Sequence, residues 1–152
     1  MATLPRVLVL NGPNLNMLGI REPSIYGRDS LQDIESACEQ RARELGLSLD
    51  FRQTNLEGDL VTWIQQARGN AAGIVINPAA YGHTSIALLD ALLIAELPVI
   101  EVHLSNIFRR EDYRHHTYVS QAASGVICGL GAQGYLLALD ALATILKNKK
   151  DR

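Results

Sequence analysis

Three runs in this chain have no polar face: Val7-Leu8-Val9-Leu10, Gly73-Ile74-Val75-Ile76 and Pro98-Val99-Ile100. Short apolar segments of this kind, rich in β-branched residues, read as parallel strands buried on both sides. Leu47 to Thr54 alternates apolar and polar residues instead, which predicts a strand at a sheet edge. Gly125 to Gly129 supplies a fifth strand. Between the strands the pattern becomes helical. Leu31, Ile34, Cys38, Ala42 and Leu45 recur at spacings of three and four. They follow a capping-box-like Ser30-Leu31-Gln32-Asp33, and Gly46 ends the helix. Leu56 to Arg68 reads as a second helix with Leu60, Trp63, Ile64 and Ala67 inward. Thr84 or Ser85 caps a third helix that runs through Glu96. Arg109 to His115 reads as a short helical turn and Ala132 to Lys147 as the closing helix. Strands alternating with helices in this way predict an α/β fold with right-handed crossovers. The expected architecture is a flavodoxin-like, doubly wound, five-stranded parallel sheet of order 2-1-3-4-5 with flanking helices.

Two of these helices have too little polar surface. Ile86 to Ala95 is apolar on every face except at Asp90, and Tyr135 to Ala143 is similar. A helix that is apolar all round is buried on all sides. Helices flanking a small sheet normally keep one face wet, so the excess is assigned to subunit interfaces, and a homo-oligomer is expected.

At 152 residues the chain suits a single domain, residues 1–152, with a polar C-terminal tail at about 147–152. The net charge of -2 and pI of about 6.1 offer no basic face to nucleic acid. The longest near-uncharged stretch, Ala71 to Asp90, is broken by Asn-Pro and Gly-His, so no membrane span is expected. The first residues lack a signal-peptide layout, and a cytoplasmic location is the expectation. Cys38 and Cys128, on a helix face and a strand, read as buried free thiols in a reducing compartment rather than a disulfide. The only lysines are Lys147, Lys149 and Lys150. A polar tail is a poor source of a desolvated Schiff-base amine, and no Gly-Lys-Ser phosphate loop exists, so lysine-based mechanisms are disfavoured.

In open α/β sheets, ligands bind at the carboxyl ends of strands, near the point where strand order reverses. Here those ends read Asn11-Gly12-Pro13-Asn14, Asn77-Pro78-Ala79-Ala80-Tyr81-Gly82-His83 and Glu101-Val102-His103-Leu104-Ser105-Asn106. They make a polar site on an apolar scaffold. The segment from about residue 15 to 28 is long for a strand–helix connection and carries Gly19 and Gly27 as hinges, so it reads as a lid. It presents Arg21 and Tyr26. A phenol acts as a base near neutrality only when cations stabilise its phenolate by about 3–4 kcal/mol, which one or two desolvated arginines supply. A surface tyrosine beside a solvated arginine would leave the same trace. Arg110 and Arg114 lie one helical turn apart beyond the fourth strand, as a solvated basic turn would also have them.

Glu101 and His103 are two apart on a strand and therefore share a side. A carboxylate beside an imidazole suits a general acid, and a buried structural ion pair reads the same way. The backbone N–H groups of Leu104 and Ser105, next to Asn106, suit a carboxylate. Asn14 and Asn77 suit a water or an oxyanion, though asparagine is also a turn residue. His83, before the helix cap, is placed to donate to a substrate hydroxyl, and His115 and His116 read as surface residues. No set of His, Cys and carboxylates has zinc-site spacing, so neither metal nor cofactor is expected.

Taken in order, five segments resemble the type II 3-dehydroquinate dehydratases. They are Val9-Leu10-Asn11-Gly12-Pro13-Asn14-Leu15; Arg21-Glu22-Pro23 before Tyr26-Gly27; Asn77-Pro78 leading to His83-Thr84-Ser85; Glu101 to Asn106; and Gly129 to Gly134-Tyr135. Each is weak alone, and together they span nearly the whole chain. The resemblance implies reversible trans dehydration of 3-dehydroquinate to 3-dehydroshikimate through an enolate, without covalent catalysis. Carried onto this chain, Tyr26 removes the proton next to the ketone, with Arg21 and Arg110 stabilising its phenolate. Asn14 orients a water on the enolate oxygen. His103, paired with Glu101 and helped by Asn77, protonates the departing hydroxyl. The Leu104 and Ser105 amides hold the substrate carboxylate. His83 and Arg114 bind ring hydroxyls, joined by Asp90 from a neighbouring subunit. The partners implied are the small-molecule substrate and further copies of the chain, in dodecamers built from trimers. Gly82 stands where the family carries Thr or Ser, and Gln121 where Pro is common; the first is expected to loosen the loop that presents His83. A flavin-binding carrier would need a hydroxyl-rich phosphate loop after the first strand, and a receiver domain clustered aspartates there; this chain has neither.

Overall fold

The structure is a computed structural model that describes residues 3–20, 22–26 and 28–150. Five strands, β1 (Arg6–Asn11), β2 (Ser48–Gln53), β3 (Gly73–Asn77), β4 (Val99–His103) and β5 (Gly125–Cys128), form one parallel sheet. Its order is β2-β1-β3-β4-β5, as expected. The helices are α1 (Pro23–Tyr26), α2 (Leu31–Leu45), α3 (Glu57–Ala67), α4 (Ile86–Ala95) and α5 (Gln133–Lys150).

Alternation along the strands divides the core in two. Val7, Val9, Val75, Ile100 and Val102 face α2 and α5, where they meet Ile34, Cys38, Ala138, Leu139 and Leu142. Leu8, Leu10, Ile74, Ile76 and Val99 face α3 and α4 and pack on Leu60, Ile64, Leu88 and Leu92. Each fully buried aliphatic side chain contributes about 1.5–3 kcal/mol of hydrophobic stabilisation. The sheet therefore has two dry faces along β1 and β3, whose polar residues are confined to the strand ends. Burial pushes the Cys38 thiol up to about 12, which suits the expected inert core thiol, whereas Cys128 at the end of β5 is only half-buried.

Local signals act as read from the sequence. Ser30 and Asp33 form a reciprocal capping box on α2, and Gly46 closes that helix in the left-handed conformation at φ 70°. Ser85 caps α4 by accepting from the Leu88 N–H, and β2 lies at the sheet edge.

Other expectations need correction. The segment from Arg109 to His115 is not one helical turn. It holds parts of two 3₁₀ turns, Ile107–Arg109 and Asp112–Arg114, separated by an extended Arg110 at φ -111° and ψ -163°. Trp63 does pack against the α3–α4 core, but only half-buried, with its ring under the Arg52 guanidinium, 5.4 Å from the ring centroid. The lysines belong to the last turns of α5 rather than to a tail, at least as far as Lys150. Leu136 and Leu137 are half-buried, but α4 leaves Ile86, Leu93 and Ile94 more than half exposed around an exposed Asp90. The apolar excess is thus concentrated on α4. Among the described residues, no helix is long and apolar enough to cross a membrane.

Strand order reverses between β1 and β3, whose last residues, Asn11 and Asn77, pair directly. Gly12 continues that contact by donating its N–H to the Asn77 carbonyl at 2.9 Å. A Cβ at position 12 would sit 2.4 Å from the Pro78 oxygen, so only glycine lets the two loops approach this closely.

Candidate active site

A cavity of about 640 Å³, its mouth included, opens over the ends of β1, β3 and β4. Asn14, Tyr26, Asn77, His83, His103, Leu104, Ser105, Arg110 and Arg114 all line it, so the fold brings together most of the candidates. Glu101 lies behind the wall. Arg21 and the hinge Gly27 lie outside the described residues. Asp90 does not line this cavity and sits on the exposed side of α4.

β4 sets the first pair. Glu101 and His103 point toward the α4 side of the sheet, and His103 Nε2 lies 2.5 Å from a Glu101 carboxylate oxygen. Glu101 is completely buried and takes two further donors, Thr117 Oγ1 at 2.8 Å and Ser120 Oγ at 2.5 Å. Burial opposes its ionisation. The hydrogen bonds from His103, Ser120 and Thr117 outweigh that and hold it below the usual carboxylate range. The carboxylate fixes the imidazole with Nε2–H inward. Among the described residues, no buried side-chain nitrogen or oxygen lacks a partner, so the remaining His103 Nδ1 opens on the cavity.

His83 comes from the 3₁₀ turn Ala79–His83, with its ring stacked near His103 at a centroid separation of 6.0 Å. Its Nδ1 lies 2.9 Å from the His116 carbonyl. A carbonyl only accepts, so Nδ1 carries the proton and the neutral ring has Nε2 as an acceptor. Burial holds His83 below the ordinary histidine range. Its Nε2 is therefore an acceptor, where the sequence suggested a donor. His116 is exposed as expected, yet its carbonyl orients His83. Gly82 is buried, with its carbonyl accepting from Tyr118 N at 2.8 Å. A Cβ there would meet Pro78 Cγ at 2.8 Å, so the turn packs against Pro78 as closely as a residue without a side chain allows. Gln121 is exposed at the end of the 3₁₀ turn Val119–Gln121.

α1 places Tyr26 half-buried against the α2–α5 core, with the Arg110 guanidinium 5.1 Å from its ring centroid. Arg110 also donates to Ser105 Oγ at 3.3 Å, tying the end of β4 to the tyrosine. Arg114 is held by Glu111 at 2.8 Å. Burial works against its charge, but Glu111 and Tyr26 more than offset that. Asn14 sits in the left-handed region at φ 70°, a conformation asparagine tolerates, and its N–H donates to Asn55 Oδ1 at 3.0 Å.

Sequence reasoning gave no role to Thr117, Ser120, Asn11 or Tyr135, although Asn11 and Tyr135 lie in segments it named. Tyr135 is completely buried in α5. It donates to Asn11 Oδ1 at 2.7 Å and accepts from Asn77 Nδ2 at 2.9 Å. A tyrosine in the first turn of an apolar helix was the available signal, because a buried phenol requires a hydrogen-bonding partner. Among the described residues, no group of three or more His, Cys, Asp and Glu side chains could hold a metal ion.

The sequence profile of the family described as dehydroquinase class II matches residues 5–143. The chain is 59% identical over 145 residues to a 3-dehydroquinate dehydratase of Brucella canis, covering 95% of this chain and 92% of the relative. It is 57% identical over 145 residues to 3-dehydroquinate dehydratase 2 of Pseudomonas putida, covering 95% and 97% respectively. The crystal structure of type II dehydroquinase from Propionibacterium acnes is similar at a TM-score of 0.89 and 49% identity, covering 95% of this chain and 98% of that one.

Proposed function

The chain belongs to the class II dehydroquinase family, and we propose that it dehydrates 3-dehydroquinate through an enolate, with Tyr26 as base and His103 as acid. In this reading the Tyr26 phenolate takes the proton from the carbon beside the ketone, and the C–H electron pair becomes the enolate. Asn14 orients a water on the enolate oxygen. As the enolate collapses to the conjugated enone, the C–O bond breaks. The leaving hydroxyl takes the proton from His103 Nδ1 and departs as water. Tyr26 ends protonated and His103 neutral, and solvent returns the proton between turnovers. Leu104 and Ser105 hold the substrate carboxylate. Asn77, His83 and Arg114 hold its hydroxyls. Arg21 joins Arg110 at the base.

One observation carries the reading: a hydrogen-bonded Glu101–His103 pair and an arginine-covered Tyr26 line one cavity. The pair supplies a proton donor and the tyrosine a cation-stabilised base, the two roles an elimination requires. The lysines lie at the far end of α5, which favours this route over a Schiff base. Asp90 and the apolar α4 face fit a homo-oligomer, in the proposed form a dodecamer of trimers, in which Asp90 reaches a neighbouring copy's site.

Incubation with 3-dehydroquinate should produce the ultraviolet absorbance of the conjugated enone. Tyr26→Phe should lower turnover by ~10²-fold or more while substrate-analogue binding persists. A phenylalanine variant that keeps more than about a tenth of the rate removes Tyr26 from the base position.

A further inference from the structure

The buried hydrogen bonds beneath the cavity form a chain whose direction is set at both ends by main-chain groups. At one end the Ala79 N–H, which only donates, points at the Asn77 carboxamide at 3.1 Å. The atom facing it must be Oδ1, so Nδ2 is the atom facing Tyr135, 2.9 Å away. The tyrosine oxygen therefore accepts, and its own hydrogen goes to Asn11 Oδ1 at 2.7 Å. Asn11 Nδ2 then donates to the Arg52 carbonyl at 3.0 Å, which only accepts. No member can turn over without leaving two donors or two acceptors face to face. Burial pushes the Tyr135 phenol above its ordinary range, so the hydroxyl keeps its proton.

One donor is left over. Asn77 Nδ2 has two hydrogens, the phenol takes one, and Asn77 lines the cavity. We propose that Tyr135 is a positioning residue that fixes Asn77 with its nitrogen, rather than its carbonyl, available to the substrate. The inference rests on the reading that Asn77 touches the substrate. Tyr135 itself reaches no reacting atom. It acts by making one orientation of the Asn77 amide the only one compatible with the buried chain.

The test is a double-mutant cycle of Tyr135→Phe and Asn77→Ala, with kcat, KM and thermal unfolding measured for all four proteins. Phenylalanine keeps the packing volume and removes only the hydroxyl. Tyr135→Phe should lower kcat by about tenfold to a hundredfold, comparable with the loss of one aligned donor, while KM changes by less than about threefold. In the Asn77→Ala background the same substitution should change kcat by less than about twofold, although its effect on Tm persists through Asn11. Equal kcat losses in both backgrounds, or wild-type kcat for Tyr135→Phe beside an impaired Asn77→Ala, overturn the positioning role. A wild-type Asn77→Ala overturns the underlying reading of Asn77 instead. Should Tyr135→Phe fail to fold, Asn11→Ala, which removes the acceptor of the tyrosine proton, must show the same dependence on Asn77 or the proposal falls.

Discussion

Ser120→Ala removes a hydroxyl donor from a carboxylate that has no access to water. In the native protein one Glu101 oxygen takes the Ser120 hydroxyl at 2.5 Å, and the other takes Thr117 and His103. The substitution strips the first oxygen of its side-chain donor. A buried acceptor left unsatisfied costs about 1–3 kcal/mol, and a charged one lies at the upper end, so the expected loss at neutral pH is about 2–3 kcal/mol. At about 2–4 °C per kcal/mol for a chain of this size, Tm should fall by roughly 5–10 °C. The pH dependence has a definite sign. Burial raises the Glu101 pKa, but its donors outweigh burial and hold it below its ordinary value. A carboxylate depressed in the fold contributes stability that is fully present above its unfolded pKa. That stability is lost as pH falls through the lower folded value. Without Ser120 there is less depression, hence less to lose. The two proteins should differ most at pH 7 and converge in acid, below the depressed folded-state pKa of Glu101, where it is protonated in both. Thermal unfolding of both proteins at neutral and at acid pH, at matched ionic strength, measures this. An equal gap at both pH values would show that the loss is one of packing, and the account of Glu101 would be wrong.

Two other outcomes follow from the same geometry. His83 should titrate below the free-histidine value of 6.5 in an NMR pH series, and the fold should lose stability as pH drops below 6.5, because the unfolded chain then binds a proton that the buried ring resists; a His83 that titrates at or above 6.5 contradicts its role as a neutral acceptor. Asp90→Ala should weaken assembly in sedimentation and lower kcat/KM in the same preparation, and unchanged values of both would leave Asp90 an ordinary surface carboxylate.

Much of the fold was legible because the strands are short, apolar on both faces and separated by well-capped helices. Ser30 with Asp33, Gly46 and Ser85 act as local rules require. Most site candidates were legible because parallel strands deliver their last residues to one edge, so Asn77 and His103 needed only a count along β3 and β4. What escaped depended on contacts between distant segments. Thr117 and Ser120 reach Glu101 from 16 and 19 residues away, and Tyr135 reaches Asn11 from 124 residues away. No periodicity encodes such pairs. The segment after β4 was misread for a related reason: Asn106 caps the first 3₁₀ turn by accepting from Phe108 N, and Arg110 then extends toward Ser105 and Tyr26. The proton on His83 was set by a carbonyl at position 116, which a linear reading treats as surface.

Helix α5 carries Tyr135 in its first turn beneath the cavity and, 18 residues long, ends in the exposed Lys147, Lys149 and Lys150. At about 1.5 Å per residue its far end lies about 27 Å from its beginning. Every side-chain amine of the protein is thus gathered at the pole opposite the cavity. Reagents that couple through lysine, whether to a sensor chip, a resin or a dye, will grip these side chains far from the strand ends. Within each chain, a tether attached there lies far from the strand ends and leaves the cavity uncovered.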